Sequence, residues 1–490
     1  WLMNERDYLP YRDLHETSFP GSFLLYGLIT RITGYSVTAY NITHMVLFAG
    51  LCTCSYILLQ RIDKRMAIAA TCLFGSDYFF MHRSMHMQRD FLVLLFVIMA
   101  ITAMTSRWKL SYRSVAAGLL FGIASAIKPH AALAAPFAVL VGAILHTDAT
   151  CNKQSSDSKT GTLFRQCVLA GCFSLGAFLL VWVCITAYLV ASGSWPWFYS
   201  MLTEYMPLYQ KMNGIHIAIS AEQRWEKALG WFSDRFLIGA IPVTPALISC
   251  WKNPTLGRQQ KLLILLLAMS WPVYIAYVSM SGKLWDYHQI PMNYFFSTLL
   301  CLYFIPFMAN NWKTALLRLV SLCLVALFLQ MSLSPNYALA VACLKSDPVC
   351  NTEEEAAYAI EDRLENFLRQ TLKPGEKVEP MATSTLGPLF PAMLRAGIEP
   401  LTPYVEGFPL YHDADTRYVQ HIRADMLGRL QASPPRFIIQ PVNFFAPGGP
   451  TASPFTELDN FITAHYRIVN NRDYPQLGSW MPVTIYEHRQ

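Results

Sequence analysis

Apolar residues gather in long blocks separated by short polar turns, as in Leu92–Met104, Val168–Val190 and Leu262–Val278. With their flanks these blocks reach the roughly 17–25 residues that cross a hydrocarbon core. The pattern predicts spans near 36–58, 66–83, 91–105, 113–127, 131–147, 166–191, 236–251, 261–280, 291–309 and 314–332. After residue 333 the blocks stop, and prolines, charges and short alternating stretches take over. The chain therefore divides into a membrane part, 1–333, and a water-soluble part, 334–490.

In the soluble part, Thr352 and Glu355 have capping-box spacing. Behind them Ala357, Ile360, Leu364, Phe367 and Leu368 form one apolar helix stripe, and Lys373-Pro374-Gly375 ends the helix. Strands are predicted at Lys377–Met381, Arg436–Gln440, Tyr466–Val469 and Val483–Tyr486, with a second helix over Phe455–Ala464. This is the pattern of a small α/β domain. The sequence holds no repeat, low-complexity tract or glycine-rich phosphate loop.

Composition agrees: 53% of residues are apolar, 14% are charged and the mean hydropathy is +0.29, where a soluble domain carries about 25% charged residues. That excludes a large soluble protein with buried core helices. The net charge of +6 does not indicate nucleic acid, because the basic residues sit in alternate short loops. These hold Arg61, Lys64 and Arg65; Arg107, Lys109 and Arg113; Lys153, Lys159 and Arg165; Lys252, Arg258 and Lys261; and Lys313 and Arg318. Such loops face the cytoplasm, which places the tail outside. An even number of spans also puts Trp1 outside with no signal peptide before it, so a further span is expected upstream. Nine of the twelve cysteines fall in or beside spans, where they act as small hydrophobes. Cys343 and Cys350 close a short turn on the oxidising face, either as a disulfide or as two free thiols.

The outer loops are where chemistry could occur: Trp1–Gly34, Met81–Asp90, Lys128–His130, the aromatic Gly193–Arg235 and Ser281–Pro291. Taken singly, most loop charges are merely solvated; their crowding on one membrane face raises their standing. Asp13, beside Arg12, His15 and Glu16, has the chemistry of a general base. Arg89, Lys283 and His288 suit a phosphate leaving group. A base, a set of cations and an apolar groove fit transfer of a sugar from a lipid-linked phosphosugar.

PYRDLHETSFPG, the Gly34 and Ser36 that follow, QRD opening a span and GKLWDYHQIP before a late span resemble the GT-C superfamily of membrane glycosyltransferases. The likeness is nearer to bacterial relatives of the family 39 protein O-mannosyltransferases and to the aminoarabinose transferases of lipid A. It covers most of residues 1–333 and extends loosely into the tail.

The resemblance implies a polytopic α-helical membrane protein of GT-C type with a C-terminal periplasmic α/β domain, in a bacterial inner membrane. Its implied activity is inverting sugar transfer from a polyprenyl-phosphate donor to a glycan, lipid or protein acceptor. Asp13 matches the family's catalytic carboxylate, Asp90 a second carboxylate, and Glu16 stands in reserve. Arg89, Lys283, His288 and Arg12 match the donor phosphate side; Tyr11, His15 and Tyr287 are expected substrate contacts. The first loop lacks the paired acidic residues of protein mannosyltransferases, which disfavours protein acceptors.

Three other readings remain open. A lipid-linked oligosaccharide polymerase or ligase shares the donor class. A secondary transporter would show inverted repeats and broken spans. Met81, His82, Met85, His86 and Met87 have the make-up of a soft Cu(I) site, although a Met- and His-rich loop is commoner, and no ligand set supports a divalent cofactor. Besides donor and acceptor, membrane lipids are the expected partners.

Overall fold

The computed structural model describes residues 1–79, 81, 86–150, 156–212, 219–305, 348–381, 389–441, 453–469, 474 and 483–489. The chain folds as two compact units. One is helical, Ser18–Tyr188 with Glu222–Ala338; the other joins Trp1–Thr17 and Leu189–Ala221 to Leu339–Gln490.

The helical unit runs through α1 (Pro20–Thr33), α2 (Val37–Leu59), α3 (Lys64–Phe79), α4 (Arg89–Met104), α5 (Leu110–Ile127), α6 (Ala135–Thr150), α7 (Ser156–Ala191), α8 (Ala221–Lys252), α9 (Arg258–Ser281) and α10 (Ile290–Leu300). Among the described residues, five helices are long and apolar enough to cross a membrane: Val37–Leu59, Leu110–Ile127, Pro129–Thr150, Thr160–Ala191 and Arg258–Ser281. The outward apolar faces of α2 (Ile42, Val46), α7 (Leu179, Val183) and α8 (Ile238, Ile241) are exposed, as lipid-facing surfaces are. This is a polytopic helical membrane protein.

Several expected spans depart from that pattern. α3 stops at Phe79 and α4 covers 16 residues, about 24 Å at 1.5 Å per residue, short of the ~30 Å core. α4 is apolar for a different reason: Phe91, Leu92, Val93, Leu94, Val97 and Ile98 are buried inside the bundle. The span expected over 314–332 lies outside the described residues, as do Cys343 and the side chain of Cys350.

α1 corrects the expectation of a continuous first outer loop. Ser18-Phe19-Pro20-Gly21 reads as a turn, yet Pro20 takes the first turn of a helix, where its fixed φ and missing N–H fit. Gly21 then lets α1 lie directly on the end of α5: a Cβ there would come within 2.5 Å of the Ala126 carbonyl carbon. A second close approach joins α5 to α7. Gly118 and Gly122, four apart on one face, meet the Ser174 backbone and Val181, the small-residue seam by which helices approach in lipid.

The loops of this unit gather at its two ends as the charge pattern requires. At one end Arg61 donates to the Thr105 carbonyl (2.9 Å), Gln260 to that of Ile62 (2.8 Å), and Arg258 pairs with Asp148 (3.0 Å). At the other end the turns before α4, after α5 and after α9 come together around Asp90, Lys128 and Tyr277.

The second unit is an α/β domain. Its elements are α11 (Pro348–Thr371), β1 (Val378–Pro380), α12 (Leu389–Ala396), α13 (Arg417–Ala432), β2 (Phe437–Pro441), α14 (Thr456–His465), β3 (Tyr466–Ile468) and β4 (Val483–His488). The sheet order is β1-β2-β4-β3, with β1 and β2 parallel and the other pairs antiparallel. All four strands stand where alternation puts them. Phe437 and Ile439 of β2 face α11 and α12, packing with Ile360, Leu364 and Phe367. Ile438, one residue out of phase, joins Val419, Ile422, Met426 and Leu430 of α13 on the opposite face.

Thr352 is not the cap of α11. The helix begins at Pro348, for which the first turn is again the favoured place.

Candidate functional site

At the polar end of the helical unit, Asp90 opens α4 and is fully buried. Lys128, which ends α5, donates to its Oδ1 at 2.8 Å, and the Tyr277 hydroxyl of α9 donates to the same oxygen. Asp90 Oδ2 has no hydrogen-bond partner among the described residues. The Lys128 ammonium also lies 4.7 Å from the Tyr277 ring centroid, and His130 packs on that ring at 4.5 Å, its Nε2 without a hydrogen-bond partner among the described residues. The carboxylate, ammonium and phenol come from positions far apart in sequence, held in register by α4, α5 and α9.

His288, in the short helical turn before α10, is buried, accompanied by Ser281 Oγ at 2.9 Å from Nδ1 and by Tyr287 edge-on at 4.5 Å. Burial first, and then the charges of Lys128, Arg89, His130 and Lys283, hold His288 well below its ordinary pKa. Lys283 is itself buried; desolvation, with the Arg224 guanidinium behind it, brings it down to about 7. Arg89 donates to Ser18 Oγ at 2.5 Å. The fold thus brings the expected Arg89, Lys283 and His288 into one cationic neighbourhood. Lys128, His130 and Tyr277 complete it, although none of them stands among the site residues expected from the sequence. The signal was present for Lys128 and His130, polar residues placed directly after an apolar span.

Asp13 belongs to the α/β unit. It sits in a tight turn in which Tyr11 N–H donates to Leu14 O and Asp13 N–H to Leu9 O, each at 2.9 Å. The Leu9 N–H returns a bond to Asp13 Oδ2 at 2.8 Å, and Arg12 grips both carboxylate oxygens at 2.9 and 2.7 Å. Burial alone would raise this carboxyl, but Arg12 and the Leu9 N–H outweigh it and hold it below its ordinary value. Asp13 lines a cleft of about 300 Å³ with Arg6, Tyr8, Arg12, Lys377 and Arg429. Arg12, expected on the donor phosphate side, is the partner of Asp13.

The neighbours of Asp13 are structural in their contacts. Tyr11 is buried against Phe198 at 5.0 Å. His15 is enclosed by Tyr205, Tyr404 and Tyr418, its Nε2 2.6 Å from the Tyr418 hydroxyl. Burial takes His15 down to about 4, so it stays neutral at ordinary pH. Glu16 is half-buried.

No group of His, Cys, Asp and Glu that could hold a metal occurs among the described residues. Of the Met- and His-rich loop, His82 and Met85 lie outside them. His86 packs on His44 at 5.0 Å.

No family model and no curated protein matches the chain, so the narrower likeness to family 39 and to aminoarabinose transferases rests on short motifs alone. A solved archaeal oligosaccharyltransferase, AglB from Archaeoglobus fulgidus in complex with an inhibitory peptide and a dolichol-phosphate, is similar in structure with a TM-score of 0.42 and 12% identity. The match covers 87% of this chain and 62% of that protein, so the chain spans less than two thirds of its length. A likeness of this size carries neither an activity nor residue roles across.

Proposed function

We propose that the chain is a membrane glycosyltransferase of GT-C type that moves a sugar, with inversion, from a polyprenyl-phosphate donor to a cell-envelope acceptor on the periplasmic face. The observation that carries this reading is the concentration of cations around His288 in an otherwise apolar bundle. Buried positive charge is costly and is kept where an anion is handled. A phosphate leaving group needs charge neutralisation and no proton donor.

In the displacement, an acceptor hydroxyl attacks the anomeric carbon and gives its proton to Asp13. The bond from that carbon to the phosphate oxygen breaks, and its electron pair leaves with the phosphate, whose charge needs cations and not a proton donor. The lowered pKa of Asp13 keeps it ionised and ready to accept, while its open cleft admits an acceptor. Asp90 is sealed and ion-paired, which suits positioning of Lys128. Glu16 is the reserve base.

The test is transfer by purified protein in lipid nanodiscs. Asp13→Asn keeps the shape and removes the basicity, so turnover should fall by about 10²–10⁴-fold with donor binding retained. Turnover near wild type would move the role to Glu16. Lys283→Ala and Arg89→Ala should weaken binding of the polyprenyl phosphate itself, since each removes a charge-assisted contact; unchanged affinity in both would end the phosphate assignment. Because Lys283 is charged only below about 7, phosphate affinity should decline as pH rises through that value. Lys283→Arg, charged throughout, should abolish the decline.

A further inference from the structure

We propose that Glu399 and Tyr418 of the α/β unit are positioning residues for Asp13, so that this unit holds the base and takes part in the reaction. The proposal rests on the assignment of Asp13 as that base. A general base has to lie within about 3 Å of the proton it takes, and a displacement of about 1 Å can lower a rate roughly 100-fold. The Leu9–Leu14 turn closes on itself through its own hydrogen bonds. Those bonds fix its shape and not its place. Its place is set by what grips its two flanks.

The grip comes from residues 399–403, which follow α12 and lie along β1 at the edge of the sheet. Val378 N–H donates to Glu399 O (3.1 Å) and Leu401 N–H to Val378 O (2.9 Å), with Pro400 bridged to Val378 in parallel. The buried Glu379 side chain then takes the Thr402 N–H and hydroxyl. These bonds tie the stretch to the core of the sheet.

Its two ends reach the two flanks of the turn. At one end Glu399 accepts from the Tyr8 hydroxyl (2.9 Å), which itself accepts from Lys377 (3.0 Å). Lys377 and Arg6 also pair with Glu399, at 3.0 and 2.9 Å. The Tyr8–Leu9 peptide carries the N–H that binds Asp13 Oδ2, so fixing Tyr8 fixes a donor to the carboxylate itself. At the other end His15 N–H donates to Pro403 O (2.7 Å). The same planar peptide presents Leu14 O to Tyr11 N–H, so one rigid plane joins the turn to the segment. The Tyr418 hydroxyl lies 2.6 Å from His15 Nε2 and holds that ring. Tyr418 stands on α13, which packs through Val419, Ile422 and Met426 on Ile438 of β2. Both flanks are thus referred to one sheet.

Glu399→Gln and Tyr418→Phe are compared with the unaltered full chain in lipid nanodiscs, by amide hydrogen exchange and by sugar transfer. Exchange over Leu9–His15 should become about tenfold faster in each variant. The amides of β2 and β4 should keep their protection, which separates a loosened turn from a loosened fold. Turnover should fall roughly 10–100-fold, with affinity for polyprenyl phosphate unchanged. Placed in the Asp13→Asn protein, neither change should slow transfer further, because each acts through the missing carboxylate. Unchanged exchange over Leu9–His15 in both variants, or the same loss of rate with and without the Asp13 carboxylate, would overturn the proposal. A rate near that of the unaltered chain for Asp13→Asn alone would instead remove the base assignment, and the exchange result would still decide whether Glu399 and Tyr418 hold the turn.

Discussion

Asp90 in the helical unit is wholly enclosed and meets a single ammonium, whereas Glu399 and Glu487 in the α/β unit lie beneath cations that stay open to water. The difference follows from the surroundings. Inside an apolar bundle neither partner of an ion pair can fall back on water, so each depends on the other. At an aqueous surface the same pair competes with hydration and is worth little.

The largest effect should therefore come from breaking the enclosed pair. Asp90→Ala strands the Lys128 ammonium and should cost about 3–5 kcal/mol, read as loss of thermal stability in detergent. Removing both charges, as Asp90→Leu with Lys128→Met, should recover most of that loss. If the single change were as mild as the double, the pair would not depend on enclosure.

Glu379 of β1 tests the same idea within the α/β unit. It is fully buried and, among the described residues, accepts from the Thr402 N–H (3.1 Å) and hydroxyl (2.9 Å). Burial pushes its carboxyl up to about 8, against the pull of Thr402. The folded state thus holds a proton that the unfolded state releases near the ordinary carboxyl value of 4.5. Stability from this group is full below that value and is lost as pH rises toward 8. Glu379→Gln should flatten that part of the stability profile; an unchanged slope would mean that the proton lies elsewhere.

The smallest effect belongs to the surface. Arg395 reaches Glu361, Asp362 and Glu365 at 2.9–3.2 Å, yet its partial exposure should limit Arg395→Ala to about 0.5–1 kcal/mol in chemical denaturation. A loss like that of Asp90→Ala would erase the contrast between the units.

Much of this was legible in the sequence because it is local. Alternation located all four strands, and the stripe Ile360, Leu364, Phe367 and Leu368 faces the core of the domain. α13 was missed although Tyr418, Val419, Ile422, Met426 and Leu430 recur at helical spacing, because the charges between them read as loop. α1 was hidden by a proline and a glycine whose meaning depends on the neighbouring helix. Asp77, half-buried near the end of α3 with the Asn293 amide 3.3 Å away, was likewise passed over. Asp90 and Lys128 were both noticed, but their pairing depends on the relative rotation of α4 and α5, which no local pattern encodes.

Tyr11 holds φ at +67°, a left-handed conformation that costs a bulky residue roughly 1–2 kcal/mol, and its ring is buried against Phe198. The side chain thus anchors a backbone shape that the residue would not choose by itself. The Leu9–Leu14 turn is fixed before any ligand arrives, and the Asp13 carboxylate stands at a set angle on it. A molecule entering that cleft has little backbone motion to freeze, so more of its contact energy remains as affinity.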